Sequence, residues 1–238
     1  MRNLAFIRKE FVKHADKKQA KALQRFFKTG PGEYAQGDKF LGIKVPVIRQ
    51  AASAHQFLAL RSAIKLLHSS FHEERLLGLL ILIFHYNRGD EQKKKEVYRL
   101  YLRSTRYINN WDLVDVTAKF IVGAFLWDKE RGILDKLALS NSLWERRIAI
   151  LATFHFIEKG EFSDTLRISK MLLSDRHDLI HKAVGWMLRE VGKRSLKQET
   201  NFLKKHYRHM PRTMLRYAIE RFPERKRIAY LNGNRRYL

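Results

Sequence analysis

The distribution of proline constrains the fold of this chain more than any other feature of its sequence. Prolines occur only at positions 31, 46, 211 and 223, so positions 47–210 contain none. Proline is the strongest breaker of an α-helix, because it lacks the amide donor and its ring clashes with the preceding turn. The apolar residues of this stretch show no sustained alternation of the kind that predicts a β-strand. We therefore expect an all-α protein.

Capping signals divide the proline-free stretch into separate helices. A serine or asparagine followed three residues later by Glu or Gln, ahead of an apolar run, is typical of a helix N-terminus. The chain has four signals of this general kind: Ser70 with Glu73, Asn109 and Asn110 before Trp111, Ser142 with Glu145, and Ser195 with Gln198. We expect each of them to begin a new helix.

The helices recur at a regular interval along the chain. Four positions can be taken as equivalent, with steps of 36, 36 and 35 residues between them: Arg75, Trp111, Arg147 and Lys182. A period of this length is typical of stacked helix pairs, which form a concave surface suited to a long ligand. The prediction is a HEAT-like helical-repeat solenoid with a concave basic face. Since no linker divides the sequence, residues 1–238 are expected to form a single domain.

The charge of the chain indicates its partner. Lys and Arg number 48 against 24 Asp and Glu, which gives a formal net charge of +24, and 45% of the residues are hydrophobic. That hydrophobic content is enough for a folded core, which excludes a disordered basic tail. A folded protein with this excess of positive charge repels itself unless it meets a polyanion. Nucleic acid is the first expected partner, ahead of an anionic membrane or an acidic protein.

Several classes of protein are disfavoured. The chain has no cysteine, which excludes disulfides, a thiolate nucleophile and zinc sites with Cys ligands. The longest apolar run, residues 76–84, has nine residues, whereas a membrane-spanning helix needs about 20. Charged residues interrupt the first fifteen positions, so no export signal is expected there. We expect a cytoplasmic protein that does not enter a membrane.

Two motifs that suggest ligands are better explained otherwise. The loop from Gly32 to Lys39 has the glycine spacing of a phosphate-binding loop, but Asp38 stands where the lysine should be and no strand precedes it. His177 and His181 have a spacing that suits a metal, but a third ligand and a paired Glu are missing. We predict no nucleotide site, no metal and no cofactor. Two basic clusters near the C-terminus, residues 225–227 and 235–236, are expected to add nonspecific affinity or to form a basic tail.

Three other segments suggest a functional site. Trp111 and Asp115 are four residues apart, which places them on the same side of one helix. Trp186 follows Gly185, whose missing side chain allows a backbone or a ligand to approach closely, and Arg147 begins an inward-facing apolar stretch. From periodicity alone, the default is structural: both tryptophans in the core and Asp115 as a paired or capping carboxylate.

At these segments, the sequence resembles the DNA alkylation repair proteins of the AlkD type. The similar stretches keep the family's order and spacing over nearly the whole chain: residues 40–46 (FLGIKVP), 111–115 (WDLVD), 144–151 (WERRIAIL) and 182–190 (KAVGWMLRE). The resemblance implies a HEAT-like solenoid and removal of N3- and N7-alkylated purines from duplex DNA by cleavage of the N-glycosidic bond. It also implies that Trp111, Trp186 and Asp115 lie at the lesion, with Arg147 beside them.

The implied chemistry fits these residue types. A cationic alkylpurine is already a good leaving group, so the enzyme has to stabilise the sugar cation that develops, which a carboxylate such as Asp115 does well. Tryptophan faces attract cations by about 0.5 to 2 kcal/mol, which suits Trp111 and Trp186. We expect a monofunctional glycosylase of base excision repair, acting as a monomer.

Several cations on or beside the site helices are plausible phosphate contacts, although a solvated helix face explains each of them equally well. They are Arg147, Lys182, Arg189, Lys193 and Arg194. Lys44 is added to them because it stands where a member of the family has a glutamine near the DNA. Asn110 is a second departure, since a member of the family has a further tryptophan at this position. Both departures concern DNA contacts and substrate range more than the reaction.

Two other functions fit part of the pattern. A helical-repeat protein that binds DNA or RNA without catalysis explains the charge, the period and the aromatic residues. Asp115 separates it from the glycosylase, because a groove that only binds phosphate does not favour a carboxylate. A scaffold for acidic proteins is a more remote alternative. The preferred alkyl adducts do not follow from the sequence.

Overall fold

The computed structural model describes residues 4–233. Within that range the chain forms fifteen α-helices and no β-strand, apart from an isolated parallel bridge between Lys39 and Phe71. The predicted all-α class is confirmed. In the same range, no helix has both the length and the apolar character that crossing a bilayer requires. The basic cluster at residues 235–236 lies outside the described residues.

Internal contacts divide the chain into two compact units, Met1–Thr117 and Ala118–Leu238. The single-domain organisation therefore stays a prediction. The first unit contains seven of the described α-helices: α1 Leu4–Val12, α2 Lys17–Phe26, α3 Val45–Ala54, α4 Leu60–Leu67, α5 His72–Arg88, α6 Glu91–Arg103 and α7 Trp111–Asp115. A 3-10 turn, Thr105–Tyr107, precedes α7.

Helix α5 forms the centre of the first unit. Residues 72–82 of this helix are all buried, and α3, α4, α6 and α7 pack around it. Its Glu73 carboxylate accepts the backbone N–H groups of residues 41, 42 and 43 at 2.8–3.2 Å, which ties the preceding loop to the helix. Gly42 has a φ of 82°, and a Cβ there would lie 2.0 Å from the Asp16 carbonyl oxygen, so this turn requires glycine.

The second unit begins with a π-helical turn, Lys119–Gly123, and contains the remaining eight α-helices of the described chain. They are α8 Gly132–Ala138, α9 Leu143–Ala152, α10 Phe154–Glu158, α11 Ser163–Met171, α12 Asp178–Gly192, α13 Leu196–His206, α14 Arg212–Ala218 and α15 Glu224–Asn232. Helix α12 packs against α9, α11, α13 and α14. A Cβ at Gly185 would lie 2.4 Å from the Met214 carbonyl oxygen, so glycine lets α14 approach closely.

A helix begins at or just after each of the four predicted signals, and three of the four cap their helices as expected. The side chains of Asn110, Ser142 and Ser195 accept backbone N–H groups at the starts of α7, α9 and α13. At the fourth signal the predicted helix is present, since α5 begins at His72, but Ser70 does not cap it: Phe71 is the N-cap residue and makes no side-chain cap bond. The physical reason is that the Glu73 carboxylate is used by the distant loop at residues 41–43 and does not reach back to its own helix.

Helix pairs that are adjacent in sequence pack together, as the period predicts. Within the first unit α4 packs on α5, and within the second α8 packs on α9 and α11 on α12. The four points taken as equivalent fall in α5, α7, α9 and α12. The helical-repeat character is confirmed, whereas the concave basic face stays a prediction.

Candidate functional site

Helix α7 carries Trp111 and Asp115, the two residues of the first unit that are expected at the lesion. Trp111 is its first residue and Asp115 its last, so the prediction that they share one helix is confirmed. The Asn110 side-chain oxygen accepts the Trp111 N–H at 2.8 Å, and Leu113 and Val114 between them are buried. Trp111 and Asp115 are both half-buried, which leaves part of each side chain available to a ligand.

Trp111 lies against two consecutive phenylalanines at the end of α2. Its ring stacks on Phe27 at 5.4 Å between centroids and meets the edge of Phe26 at 6.0 Å. Phe26 is 63% exposed, so an apolar ring extends the surface beside Trp111. We did not predict this pair from the sequence, where the available signal was two adjacent aromatic residues just before a glycine-containing loop.

Asp115 acts electrostatically on a buried phenol. The Tyr101 side chain is fully buried and its hydroxyl lies 2.8 Å from the Thr117 hydroxyl. Burial raises the pKa of Tyr101, and the negative charge of Asp115 raises it further. The Asp115 carboxylate therefore acts on a buried, neutral phenol while remaining partly exposed itself.

Asp38, which stands where a phosphate-binding loop would have lysine, has a structural role. Asp38 is buried, its carboxylate accepts the Arg75 guanidinium at 2.6 Å, and its other oxygen accepts the Asn109 side-chain amide at 2.9 Å. These partners, together with His72, hold the pKa of Asp38 below its usual value although burial alone would raise it. The loop thus supplies a buried anion to its own unit.

In the second unit, Trp186 lies half-buried on α12. Its indole N–H donates to the Glu190 carboxylate at 3.2 Å, and its ring meets the edge of Phe154 at 5.8 Å. Trp186 is therefore oriented by a hydrogen bond and a ring contact, as Trp111 is oriented by Phe26 and Phe27. The expectation from periodicity alone, that both tryptophans belong to the core, is wrong.

Arg147 is buried in α9, with 5% of its surface exposed. Its guanidinium donates to the Leu179 carbonyl in the first turn of α12. These contacts favour a structural role in joining α9 to α12. The phosphate contact of Arg147 stays a prediction.

The other predicted phosphate contacts of the second unit form ion pairs within it. Lys182 pairs with Asp178 at 2.7 Å, Arg189 with Glu220, and Lys193 and Arg194 both pair with Glu190, at 2.6 and 3.3 Å. In the first unit, Lys44 is exposed and stands at the N-terminus of α3. A phosphate would have to compete with a carboxylate for the paired cations, and their roles in binding DNA stay predictions.

A cation and two aromatic rings near Trp186 were missed. The Lys119 ammonium lies 4.7 Å from the centre of the Phe154 ring and 4.6 Å from that of Phe120, and it pairs with Glu158 at 2.6 Å. Phe154 links this group to Trp186. Lys119 and Phe120 are neighbours in sequence, but no local pattern predicts the other contacts, because Phe154 and Glu158 lie more than 30 positions from Lys119.

The two histidines with metal-like spacing have local roles in helix α12. The Nδ1 atom of His177 accepts the Leu179 N–H at 3.1 Å, which caps the helix, and the His181 Nε2 lies 2.5 Å from the Asp175 carbonyl oxygen. Over residues 4–233, no group of three or more His, Cys, Asp or Glu side chains is placed to hold a metal ion.

The chain is similar to solved structures of the same fold. A predicted DNA alkylation repair enzyme from Enterococcus faecalis aligns with a TM-score of 0.71 and 15% identity, over 89% of this chain and 98% of that one. AlkD2 from Streptococcus mutans aligns with a TM-score of 0.54 and 20% identity, over 93% and 97% of the two chains. The smu.31 protein of Streptococcus mutans UA159 gives 0.51 and 19%, over 93% and 98%.

No curated protein matches the chain. The profile of the family described as "DNA alkylation repair enzyme" matches residues 7–222, which include every predicted site residue. The match spans α7 with Trp111 and Asp115 as well as α12 with Trp186. The chain therefore belongs to the DNA alkylation repair enzyme family.

Proposed function

We propose that this repair protein is a DNA glycosylase that hydrolyses the N-glycosidic bond of cationic N3- and N7-alkylated purines in duplex DNA. Helix α7 carries the proposal, because it presents a tryptophan and a carboxylate one helical turn apart, both partly exposed. The net charge of +24 supports a polyanionic substrate.

The proposed reaction is hydrolysis at the C1′ atom of the damaged nucleotide. The C1′–N9 bond breaks, its electron pair goes to the purine and neutralises the positive charge of the alkylated ring. A water oxygen forms the new bond to C1′ and loses a proton, leaving an abasic sugar and a free base. The Asp115 carboxylate stabilises the oxocarbenium-like sugar and is a suitable acceptor for that proton.

The tryptophans have a distinct part in the proposal. An indole face attracts a cation by about 0.5 to 2 kcal/mol, depending on desolvation. Trp111 and Trp186 are oriented by Phe27 and Glu190 respectively, so little side-chain freedom is lost when they meet a ligand. They favour the charged lesion and, more strongly, the developing sugar cation. Cationic adducts are accordingly preferred over neutral damaged bases.

The wild-type protein tests the proposal directly. Incubation with duplex DNA that contains N7-methylguanine should release the free base and leave an abasic site without cutting the strand. An equal duplex containing only guanine is the substrate control. Binding of both duplexes with no release of base would favour the alternative, a helical-repeat protein that binds nucleic acid without catalysis.

Asp115→Asn tests the catalytic carboxylate. The substitution keeps the shape but removes the charge, so base release should slow by about 10²- to 10³-fold, as for other lost preorganised electrostatic contacts. Affinity for undamaged duplex should stay the same or improve, since a carboxylate beside the phosphates is removed. Single-turnover base release and a binding titration measure the two effects.

Asp128→Asn is the matched control for this substitution. Asp128 has a side chain that is 70% exposed, and its removal changes the net charge of the protein by the same amount. Its base release should equal that of the wild type. If Asp115→Asn also released N7-methylguanine at the wild-type rate, Asp115 would not be the catalytic carboxylate.

A further inference from the structure

His72 is a buried titratable group that the proposed reaction does not use. It is the first residue of α5, and only 3% of its side chain is exposed. Its Nε2 lies 2.8 Å from the Asp112 carboxylate, and Asp112 is the second residue of α7, between Trp111 and Asp115. The histidine thus bonds directly to the helix that carries the candidate site.

The ring of His72 reaches the same helix by a second route. It lies 4.6 Å from the Phe40 ring and 5.0 Å from the Phe27 ring. Phe27 in turn stacks on Trp111 at 5.4 Å. One side chain therefore bonds to the residue after Trp111 and packs on the ring that supports the indole.

Charge explains why a histidine suits this position. Its Nδ1 lies 3.6 Å from an Asp38 oxygen, and the same oxygen accepts the Arg75 guanidinium at 2.6 Å. Asp38, Asp112 and Arg75 together carry a net charge of −1, which a protonated His72 balances. Burial alone lowers the pKa of His72, but Asp112 and Asp38 outweigh it and hold the pKa above its usual value.

Helix α7 depends on contacts of this kind. It has only five residues, and so short a helix is unstable unless tertiary contacts hold it. The Asn109 side chain donates to Asp38 at 2.9 Å just before the helix, so both Asp38 and His72 tie α7 to the buried charges. Loss of the His72 contact should shift the helix without unfolding the unit.

We propose that His72 is a positioning residue: through its hydrogen bond to Asp112 and its packing on Phe27, it fixes the orientation of Trp111 and Asp115. The consequence for catalysis rests on the glycosylase activity proposed above. A misplacement of about 1 Å at a reacting group costs about 100-fold in rate. We expect the loss of rate in the chemical step and not in DNA binding, because His72 is too deeply buried to contact DNA.

His72→Gln and Asp112→Asn test the inference. The single-turnover rate of N7-methylguanine release should fall by about 10- to 100-fold in each, while the dissociation constant for undamaged duplex stays the same. The double variant should lose no more than either single one, since each variant removes one charge of the same pair between protonated His72 and Asp112. If His72→Gln does not fold, Asp112→Asn still tests the same pair of side chains.

His85→Gln is the matched control. His85 lies on the same helix, and its Nε2 bonds to the Leu58 carbonyl oxygen at 2.7 Å, so the variant also removes a histidine from a tertiary hydrogen bond. It should leave base release unchanged. Equal rate losses in His85→Gln and His72→Gln would overturn the inference, as would a wild-type rate in both Asp112→Asn and His72→Gln.

A readout independent of activity separates this inference from the proposed function. The four tryptophans are replaced by 5-fluorotryptophan, and the Trp111 fluorine resonance is assigned with Trp111→Phe. In His72→Gln and Asp112→Asn, the Trp111 resonance should move, whereas those of Trp144 and Trp186 should not. An unmoved Trp111 resonance would overturn the positioning role. A wild-type protein that releases no base would overturn the glycosylase proposal instead.

Discussion

At the scale of single residues, Glu190 has three partners with different consequences for function. Its carboxylate accepts the Trp186 indole N–H and pairs with both Lys193 and Arg194. Lys193, Arg194 and Trp186 were each predicted from the sequence to contact DNA or the lesion, but the carboxylate that they share was not identified. Local spacing of three and four residues along α12 was the available signal.

Glu190→Gln should strengthen binding to undamaged duplex. The variant keeps an oxygen that accepts the indole N–H, but it releases Lys193 and Arg194 from their carboxylate, so both become available to phosphates. Each new phosphate contact should steepen the plot of log K against log salt by about 0.9. Binding titrations at several salt concentrations measure the slope, and an unchanged slope would mean that neither cation meets a phosphate.

Glu190→Ala separates the charge of Glu190 from its hydrogen bond to Trp186. It should bind like Glu190→Gln but release base more slowly, because the indole loses its acceptor. Glu220→Gln is the control, since it frees Arg189 from an ion pair without touching the tryptophan. Equal base release by Glu190→Gln and Glu190→Ala would show that the hydrogen bond to Trp186 has no part in catalysis.

Glu199 should make the stability of the protein depend on pH. It is buried, and burial raises its pKa to about 8, although Lys226 and Arg189 oppose the shift. Because this pKa lies above the unfolded value of 4.5, the folded protein holds a proton that the unfolded chain releases. This contribution to stability is complete below pH 4.5 and is lost as the pH rises through about 8.

Denaturant unfolding at a series of pH values measures this effect. Relative to Glu199→Gln, the wild type should lose about 1 kcal/mol of unfolding free energy per pH unit within that window. Glu224→Gln, which removes a carboxylate with 66% exposure, should leave the wild-type pH dependence in place. Parallel curves for wild type and Glu199→Gln would contradict the prediction.

At the scale of helices, sequence patterns predicted the elements whose determinants are local. Asn110, Ser142 and Ser195 cap helices because each side chain reaches an N–H group within three residues. Ser70 precedes a helix but does not cap it, and the Glu73 carboxylate of the expected capping box is bound by a loop 30 residues earlier in the chain. The His72–Asp112 contact spans 40 positions and has no local pattern at all. Helix caps can thus be predicted from local sequence, whereas buried charge pairs between helices cannot.

Gly185→Ala should destabilise the packing of α12 on α14. The added Cβ would lie 2.4 Å from the Met214 carbonyl oxygen and 2.5 Å from the Tyr217 Cβ, so the helices would have to separate. Overpacking of this kind costs about 1 to 3 kcal/mol. Chemical denaturation measures the free energy of unfolding. Trp186, the next residue, makes base release a second readout.

Gly132→Ala is the control for that substitution. Gly132 is the first residue of α8, and a Cβ there would have no atom within 4 Å. Without a clash, replacing glycine by alanine limits the freedom of the unfolded chain and stabilises by about 0.4 to 1 kcal/mol. Opposite signs for the two variants are therefore expected. If both variants lowered the free energy of unfolding, the cause would be a general intolerance of alanine at these glycines and not the close approach of α14 to α12.

At the scale of the whole molecule, the sequence predicted the fold class and the family better than the site. The proline-free stretch and the helix-pair period are spread over many residues, so one misplaced cap does not affect them. The site depends on single side chains whose environment is set by distant residues, as Arg147 shows. We predicted that Arg147 contacts DNA, yet the residue is only 5% exposed and its guanidinium bonds to the backbone of α12.

The net charge leads to the last prediction, which concerns DNA binding by the whole protein. Many of the cations pair with carboxylates within their own unit, as Lys182 does with Asp178, yet Lys and Arg exceed Asp and Glu by 24, so pairing cannot neutralise the chain. The excess should bind undamaged duplex by displacing counterions, with a slope of about −0.9 in log K against log salt for each phosphate neutralised. Fluorescence anisotropy between about 50 and 200 mM salt, the range over which such proteins lose most affinity, measures that slope. A steep slope shared by wild type and Asp115→Asn would show that binding to the DNA backbone is distinct from catalysis, because Asp115 is proposed to act in catalysis and not in backbone binding. A nearly flat salt dependence would remove nucleic acid as the partner of this charge, and the glycosylase proposal with it.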